Sequence, residues 1–210
     1  MKSYKTVEKA TEARTEVRRS LFIVSVSPAA TAEEADAFVA SVRAKYPDAT
    51  HNCYAYIAGV ENPSVRFSDD GEPGGTAGQP MLEVLKKRGL TAVAVVVTRY
   101  FGGIKLGAGG LVSAYTDSVV SGIDAAGTVT MTERSLVEVR AGYQEFSRAD
   151  SALIRLGAER MSADYGEDVR AVYAVKADAE ARALACASEA TSGAARTAVT
   201  GHIFLPERAN

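Results

Sequence analysis

Apolar positions along this chain change their period repeatedly, and each change marks an element. The polar stretch up to Arg19 reads as a first strand or a loose entry. Leu21-Phe22-Ile23-Val24-Ser25-Val26 then reads as a strand ended by Pro28. Thr31 followed three residues later by Glu34 forms a capping box, in which side-chain oxygens satisfy backbone N–H groups of a first helical turn. Behind it Ala35, Phe38, Val39, Val42 and Tyr46 recur at helical spacing until Pro47 closes the helix. Cys53 to Ala58 is a second strand, and Val65-Arg66-Phe67 leads into a glycine-rich segment. Pro80 is suited to the first position of the next helix, through Met81, Leu82, Val84 and Leu85, with Gly89 as its C-cap. The uniformly apolar run Ala92–Val97 is a buried strand. A helix starting near Leu111 then puts Leu111, Tyr115, Val119, Ile123 and Ala126 on one face, and Gly127 stops it.

Beyond Gly127 the pattern starts afresh. Thr128–Glu133 reads as a linker into a second domain, Ser135–Tyr143 alternates like a strand, and Phe146, Ala149, Leu153 and Leu156 are helically spaced. Two strands, Ala158–Tyr165 and Val169–Ala177, flank a Gly166-Glu167-Asp168 turn. A helix from about Ala179 to Ala190 precedes a last strand, Arg196–Leu205. The order β-α-β-β-α-β is the ferredoxin-like pattern. The expectation is an α+β protein with an N-terminal domain over 1–130 and a ferredoxin-like domain over 131–210.

Composition narrows the classes. With 210 residues and 47% hydrophobic positions the chain can bury a core without staples. Two cysteines are too few for a disulfide framework, and the start Met1-Lys2-Ser3-Tyr4-Lys5-Thr6 has no apolar leader. No run is long enough to span a membrane, so a cytoplasmic protein is expected. A formal charge of −2 argues against a generally basic, nucleic-acid-coating surface. A local patch of Lys86-Lys87-Arg88 with Arg99 and Lys105 remains.

Two glycine-rich segments carry the candidate chemistry. The first, Ser68-Asp69-Asp70-Gly71-Glu72-Pro73-Gly74-Gly75-Thr76-Ala77-Gly78, packs three carboxylates into four residues. Their mutual repulsion must be relieved by a cation, a basic partner or water. Structural or protein-binding use stands ahead of metal binding, because further ligands are missing. The second segment, Arg99-Tyr100-Phe101-Gly102-Gly103-Ile104-Lys105-Leu106-Gly107-Ala108-Gly109-Gly110, joins a strand to a helix N-terminus, where backbone N–H groups can cradle a phosphate. It is no Walker A loop, since no Gly-Lys-Ser/Thr follows. Close strand–helix packing explains the glycines equally well. His51 and Cys53 lie two apart and face one side of a strand, as a nucleophilic pair or half a metal site would. Burial of a structural cysteine is the preferred reading.

His51-Asn52-Cys53, the run Phe67–Pro80 and the run Arg99–Leu111 resemble the IMPACT/YigZ family over about the first two-thirds of the chain. Leu21 after Arg19-Ser20 departs from the family's usual Ser-Arg-Phe and removes one expected positive charge. The resemblance implies an N-terminal α/β sandwich like domain IV of elongation factor G and a C-terminal domain like its domain V. Eukaryotic members of the family control translation by binding a regulator of an initiation-factor kinase. The reading is therefore a translation-associated binding protein of the bacterial two-domain type, with RNA, the ribosome or a translation-regulating protein as partner, and neither membrane nor DNA expected. The proposed surface comprises Asp69, Asp70, Glu72, Gly74, Gly75, Thr76, Arg99, Tyr100, Gly102, Gly103, Lys105, Gly109 and Gly110, with His51 and Cys53 secondary and no metal or cofactor assigned. The alternative is an enzyme acting on a phosphorylated or nucleotide-like substrate through the second glycine segment.

Overall fold

The computed structural model describes residues 2–207, which divide into two compact units, Tyr4–Thr130 and the run from Met131 onward with Lys2 and Ser3. In chain order the first part holds β1 (Ser3–Val7), β2 (Thr11–Val17), β3 (Ser20–Pro28), α1 (Ala32–Lys45), β4 (His51–Ala58), β5 (Ser64–Ser68), α2 (Gly78–Lys87), β6 (Val93–Tyr100) and α3 (Gly107–Ala126). Strands β2-β3-β6-β4-β5 form one antiparallel sheet. The polar entry before Arg19 thus holds two strands, not one. The second of them pairs along β3 through a tight turn in which Arg18 and Arg19 both take positive φ.

Alternation in the central strands sorts the helices onto two faces. Cys53, Ala55 and Ile57 of β4 and Val93, Val95 and Val97 of β6 pack with Met81, Leu85, Tyr115, Val119 and Ile123 of α2 and α3. Their neighbours Tyr56, Ala94 and Val96 face α1. Strand β6 is therefore buried on both sides, which is why it reads as an unbroken apolar run. Helix α3 comes so close to the sheet that a Cβ at Gly122 would lie 2.7 Å from a Val24 methyl.

The capping box of α1 forms, with the Glu34 N–H donating to Thr31 Oγ1 at 3.2 Å. The Glu34 carboxylate returns to the Ala30 N–H at 2.7 Å, one residue before the cap. Two helix starts differ from the sequence expectation. Helix α2 begins at Gly78, so Pro80 is its third residue, where its missing N–H still costs no helical bond. Helix α3 begins at Gly107, not near Leu111, so Gly107, Gly109 and Gly110 belong to its first turn and not to a loop.

The rest of the chain forms β7 (Thr128–Ala141), α4 (Tyr143–Arg155), β8 (Glu159–Tyr165), β9 (Val169–Lys176), a single 3-10 turn, α5 (Glu180–Ala190) and β10 (Arg196–Pro206). Thr128–Glu133 is the opening of β7, not a linker. The strand order is β10-β7-β9-β8, each pair antiparallel. Val137, Val139, Ala171 and Tyr173 pack against Phe146, Ala149 and Leu153 of α4 and Ala183 and Ala187 of α5. Two antiparallel sheets with helices packed on them make the chain α+β. No helix among the described residues is long and apolar enough to cross a membrane.

Candidate functional site

The first glycine segment leaves β5 at Ser68 and folds its carboxylates inward, each onto a partner of this chain. Asp69 accepts the N–H groups of Gly75 at 2.9 Å, Ala77 at 3.0 Å and Gly78 at 2.8 Å. It thereby caps α2 from eight residues upstream, a cap that Ala77 has no side chain to supply. Burial pushes the Asp69 pKa up, but the three N–H donors outweigh it and hold the carboxyl below its usual value. Asp70 sits at positive φ and accepts from the Asn52 N–H and the Arg43 guanidinium, each at 2.7 Å. Glu72 is 7% exposed, and one of its oxygens accepts from Arg99 Nη1 at 2.6 Å and Tyr115 Oη at 2.8 Å.

The acidic cluster thus meets the requirement for relief of repulsion with basic partners and backbone donors of its own chain. Among the described residues no group of carboxylates, histidines and cysteines could hold a metal ion. Glu72 and Arg99, expected as surface contacts, are instead a buried ion pair, with Arg99 only 5% exposed. The pair ties the first glycine segment to the start of the second. Arg99 also donates to Ser20 Oγ at 3.3 Å and stacks over Phe22 and Phe101. Its Nε is buried without a partner.

His51 and Cys53 do share a side of β4, but they do not form a dyad. The His51 ring bonds the Asp70 carbonyl through Nδ1 at 2.8 Å. A carbonyl only accepts, so Nδ1 is the donor of that bond, and Nε2 lies 3.9 Å from the Glu72 carboxylate. The Cys53 thiol donates to the neighbouring Asp69 carbonyl at 2.9 Å and lies 3.3 Å from Tyr115 Oη. Burial, ahead of the nearby carboxylates, pushes the Cys53 pKa up to about 12. A thiol held protonated is a poor nucleophile, and both residues brace the Asp69-Asp70 turn. Tyr115 is likewise shifted strongly upward by burial and by Cys53 and Glu72, and remains a neutral donor.

The second segment is anchored at its start and open afterwards. Tyr100 donates to Asp48 at 2.9 Å, the Phe101 N–H to Thr50 Oγ1 at 3.0 Å, and the Gly102 N–H to Ser20 Oγ at 3.2 Å. A Cβ at Gly102 would collide with the Arg19 carbonyl, so this glycine is a packing requirement of the β2–β3 turn. A Cβ at Gly78 would likewise strike the Ser68 backbone. At Gly74 and Gly109 the reverse holds: neither has a positive φ, and nothing lies within 4 Å of the missing Cβ. Around them Gly75, Gly103 and Lys105 are exposed, as are Phe101 at 46% and Ile104 at 39%; Gly110 is half-buried and Thr76 buried. The N-terminus of α3 has no side-chain cap.

Sequence reasoning found the two segments and missed what binds them together. Tyr115 counted only as an apolar face residue, and its hydroxyl, which needs a partner when buried, was the available signal. Asn52 entered only through the His51-Asn52-Cys53 motif, and Arg43 and Ser20 gave no signal of a role here.

The first unit is thus one antiparallel sheet covered by helices on both faces, its glycine segments locked by a buried Arg99–Glu72–Tyr115 network. Residues 18–123 match the family model described as the Impact N-terminal domain, and the chain is a member of the IMPACT family. It is 44% identical over 151 residues to the "IMPACT family member YvyE" of Bacillus subtilis, covering 72% of this chain and 70% of that one. To the "IMPACT family member YigZ" of Escherichia coli it is 40% identical over 152 residues, covering 71% and 74%. A solved structure titled "Crystal structure of an hypothetical protein" superposes with a TM-score of 0.65 at 33% identity, over 95% of this chain and 98% of that one.

Proposed function

We propose that this protein is a translation-associated binding protein that docks on the ribosome through the open part of its glycine segments. The carrying observation is at Gly74 and Gly109, where the fold itself makes no demand for glycine. A glycine in the first turn of a helix costs stability, and an approaching backbone or phosphate is the remaining reason to keep it. Beside it lie the exposed Phe101 and Ile104, the Lys105 ammonium and the uncapped first turn of α3, a combination suited to a ribonucleoprotein surface. Internal use of Asp69, Asp70 and Glu72 and the protonated Cys53 thiol favour binding over acid–base or nucleophilic catalysis. Strand order β10-β7-β9-β8 supports reading residues 131–210 as a ferredoxin-like domain, and the resemblance to elongation factor G domains IV and V points the same way. Fold likeness alone does not assign a function.

Co-sedimentation with ribosomes at several salt concentrations tests the reading. Binding should fall steeply with salt, and Lys105→Ala should weaken it severalfold while thermal unfolding stays unchanged. Failure of the wild-type chain to co-sediment at low salt removes it.

A further inference from the structure

The second sheet carries a feature that the glycine segments do not explain. Where β9 ends beside the middle of β7 and α4 gives way to β8, the surface forms an open cavity of about 830 Å³. Arg134 and Lys176, both lining it, are direct cross-strand partners in the β7–β9 pair. Like charges placed opposite one another in an antiparallel pair repel. Farther along the same two strands the chain makes the same juxtaposition, Arg140 opposite Arg170, and neutralises it: Arg140 bonds Asp168 and Arg170 bonds Glu138, each at 2.6 Å. At Arg134 and Lys176 no side-chain ion pair or hydrogen bond compensates among the described residues. A third cation on the rim, Arg160, is matched with Asp150 at 3.0 Å. Apolar side chains also line it, Ile154, Leu156 and Leu205, with Ile154 48% exposed. Two carboxylates, Glu159 and Glu207, also border the space.

We propose that this cavity binds a nucleotide, its phosphate bridging Arg134 and Lys176 and its base against Ile154, Leu156 and Leu205. Its volume falls in the range of small-molecule sites, which combine an apolar body with a few convergent polar groups. A phosphate between the two cations converts their repulsion into two charge-assisted contacts. The Glu207 carboxylate at the border can accept from a ribose hydroxyl or an exocyclic amine, a use that inorganic phosphate would not need. The same chemistry is offered by a free mononucleotide and by the terminal nucleotide of an RNA strand.

The test uses the full chain and two probes, a fluorescent ADP and a 3′-labelled decauridylate bearing a 5′-phosphate, followed by anisotropy. At least one probe should bind saturably, and the Arg134→Ala/Lys176→Ala double variant should weaken it at least tenfold. Arg140→Ala, which breaks a neutralised pair, and Lys105→Ala, which touches only the proposed ribosome surface, should leave the affinity within twofold. Saturable binding of ADP identifies the free nucleotide as the source, and binding of the oligonucleotide alone identifies RNA. Removing the repulsion should also leave the midpoint of thermal unfolding of the double variant at or above that of the wild type, so lost binding cannot be ascribed to lost folding. Absence of saturable binding for both probes, or full binding by the double variant, overturns the proposal.

Discussion

The two glycine segments look alike in composition and are built for different ends. In the first, every carboxylate is consumed by the chain: Asp69 on three N–H groups, Asp70 on Arg43 and Asn52, Glu72 on Arg99 and Tyr115. The second is fixed at Tyr100, Phe101 and Gly102 and then leaves Gly103, Gly107 and Gly109, an ammonium and two large apolar side chains to solvent. One is a frame and the other a face. The buried Arg99–Glu72 contact joins them, so rigidity in the frame is passed to the start of the face.

Breaking that joint should have the largest effect. Arg99→Ala or Glu72→Ala leaves an uncompensated buried charge and should cost about 3–5 kcal/mol in urea denaturation. Replacing both by apolar residues of similar volume should recover much of the loss, because the pair's desolvation penalty disappears along with its attraction. A cost below about 1 kcal/mol for either single variant would show that the ion pair is not what holds the segments together.

Asp69→Ala comes next, removing the acceptor for three N–H groups and the cap of α2, with an expected loss of about 1–2 kcal/mol. The pH dependence has a definite sign. A carboxyl whose folded pKa lies below its unfolded value stabilises above the unfolded value and loses that contribution as pH falls through the folded one. Stability of Asp69→Ala should therefore fall less steeply than that of the wild type as pH drops below 3.8, and equal slopes there would contradict the cap.

Cys53 gives a smaller, oppositely signed signal. Its folded pKa is raised from 9.0 to about 12, so its contribution is complete below pH 9 and is lost as pH rises toward 12. Around pH 10 the wild type should already be about 1 kcal/mol less stable from this source, and Cys53→Ser should flatten that decline. At pH 8 a thiol reagent should label half-buried Cys186 before buried Cys53 in the folded chain. Rapid labelling of both would place Cys53 outside the core.

What the sequence disclosed and what it withheld follow from range. The cap of α1 is local, three residues from hydroxyl to carboxylate, and was legible; so was β6, whose two buried faces produce an unbroken apolar run. The β-α-β-β-α-β order after Gly127 could be read from period alone. The partners of the acidic cluster could not: Arg43 and Asp70, and Glu72 and Arg99, are each 27 residues apart, and nothing in spacing pairs them. The start of α3 was hidden for another reason. A first turn of Gly-Ala-Gly-Gly has poor helical propensity, and the helix forms there because Leu111, Ala114 and Tyr115 pack into the core. The sequence marked Gly102 and Gly109 alike, although one is a packing constraint and the other is not.

That last difference supplies the smallest effect on stability and the sharpest test of frame against face. Gly109 occupies the first turn of α3 with an ordinary backbone and open space around it, so alanine fits without strain. Gly109→Ala should stabilise the fold slightly, by up to about 1 kcal/mol, because alanine restricts the unfolded chain and favours the helix. Gly102→Ala must instead destabilise, since its methyl would overlap the Arg19 carbonyl. If Gly109 is kept for a partner that approaches the backbone, Gly109→Ala will raise the midpoint of thermal unfolding and weaken ribosome co-sedimentation at once. A purely structural glycine cannot give that opposition. Unchanged binding with raised stability would leave the exposed glycine without a role in recognition and shift the face to Phe101, Ile104 and Lys105.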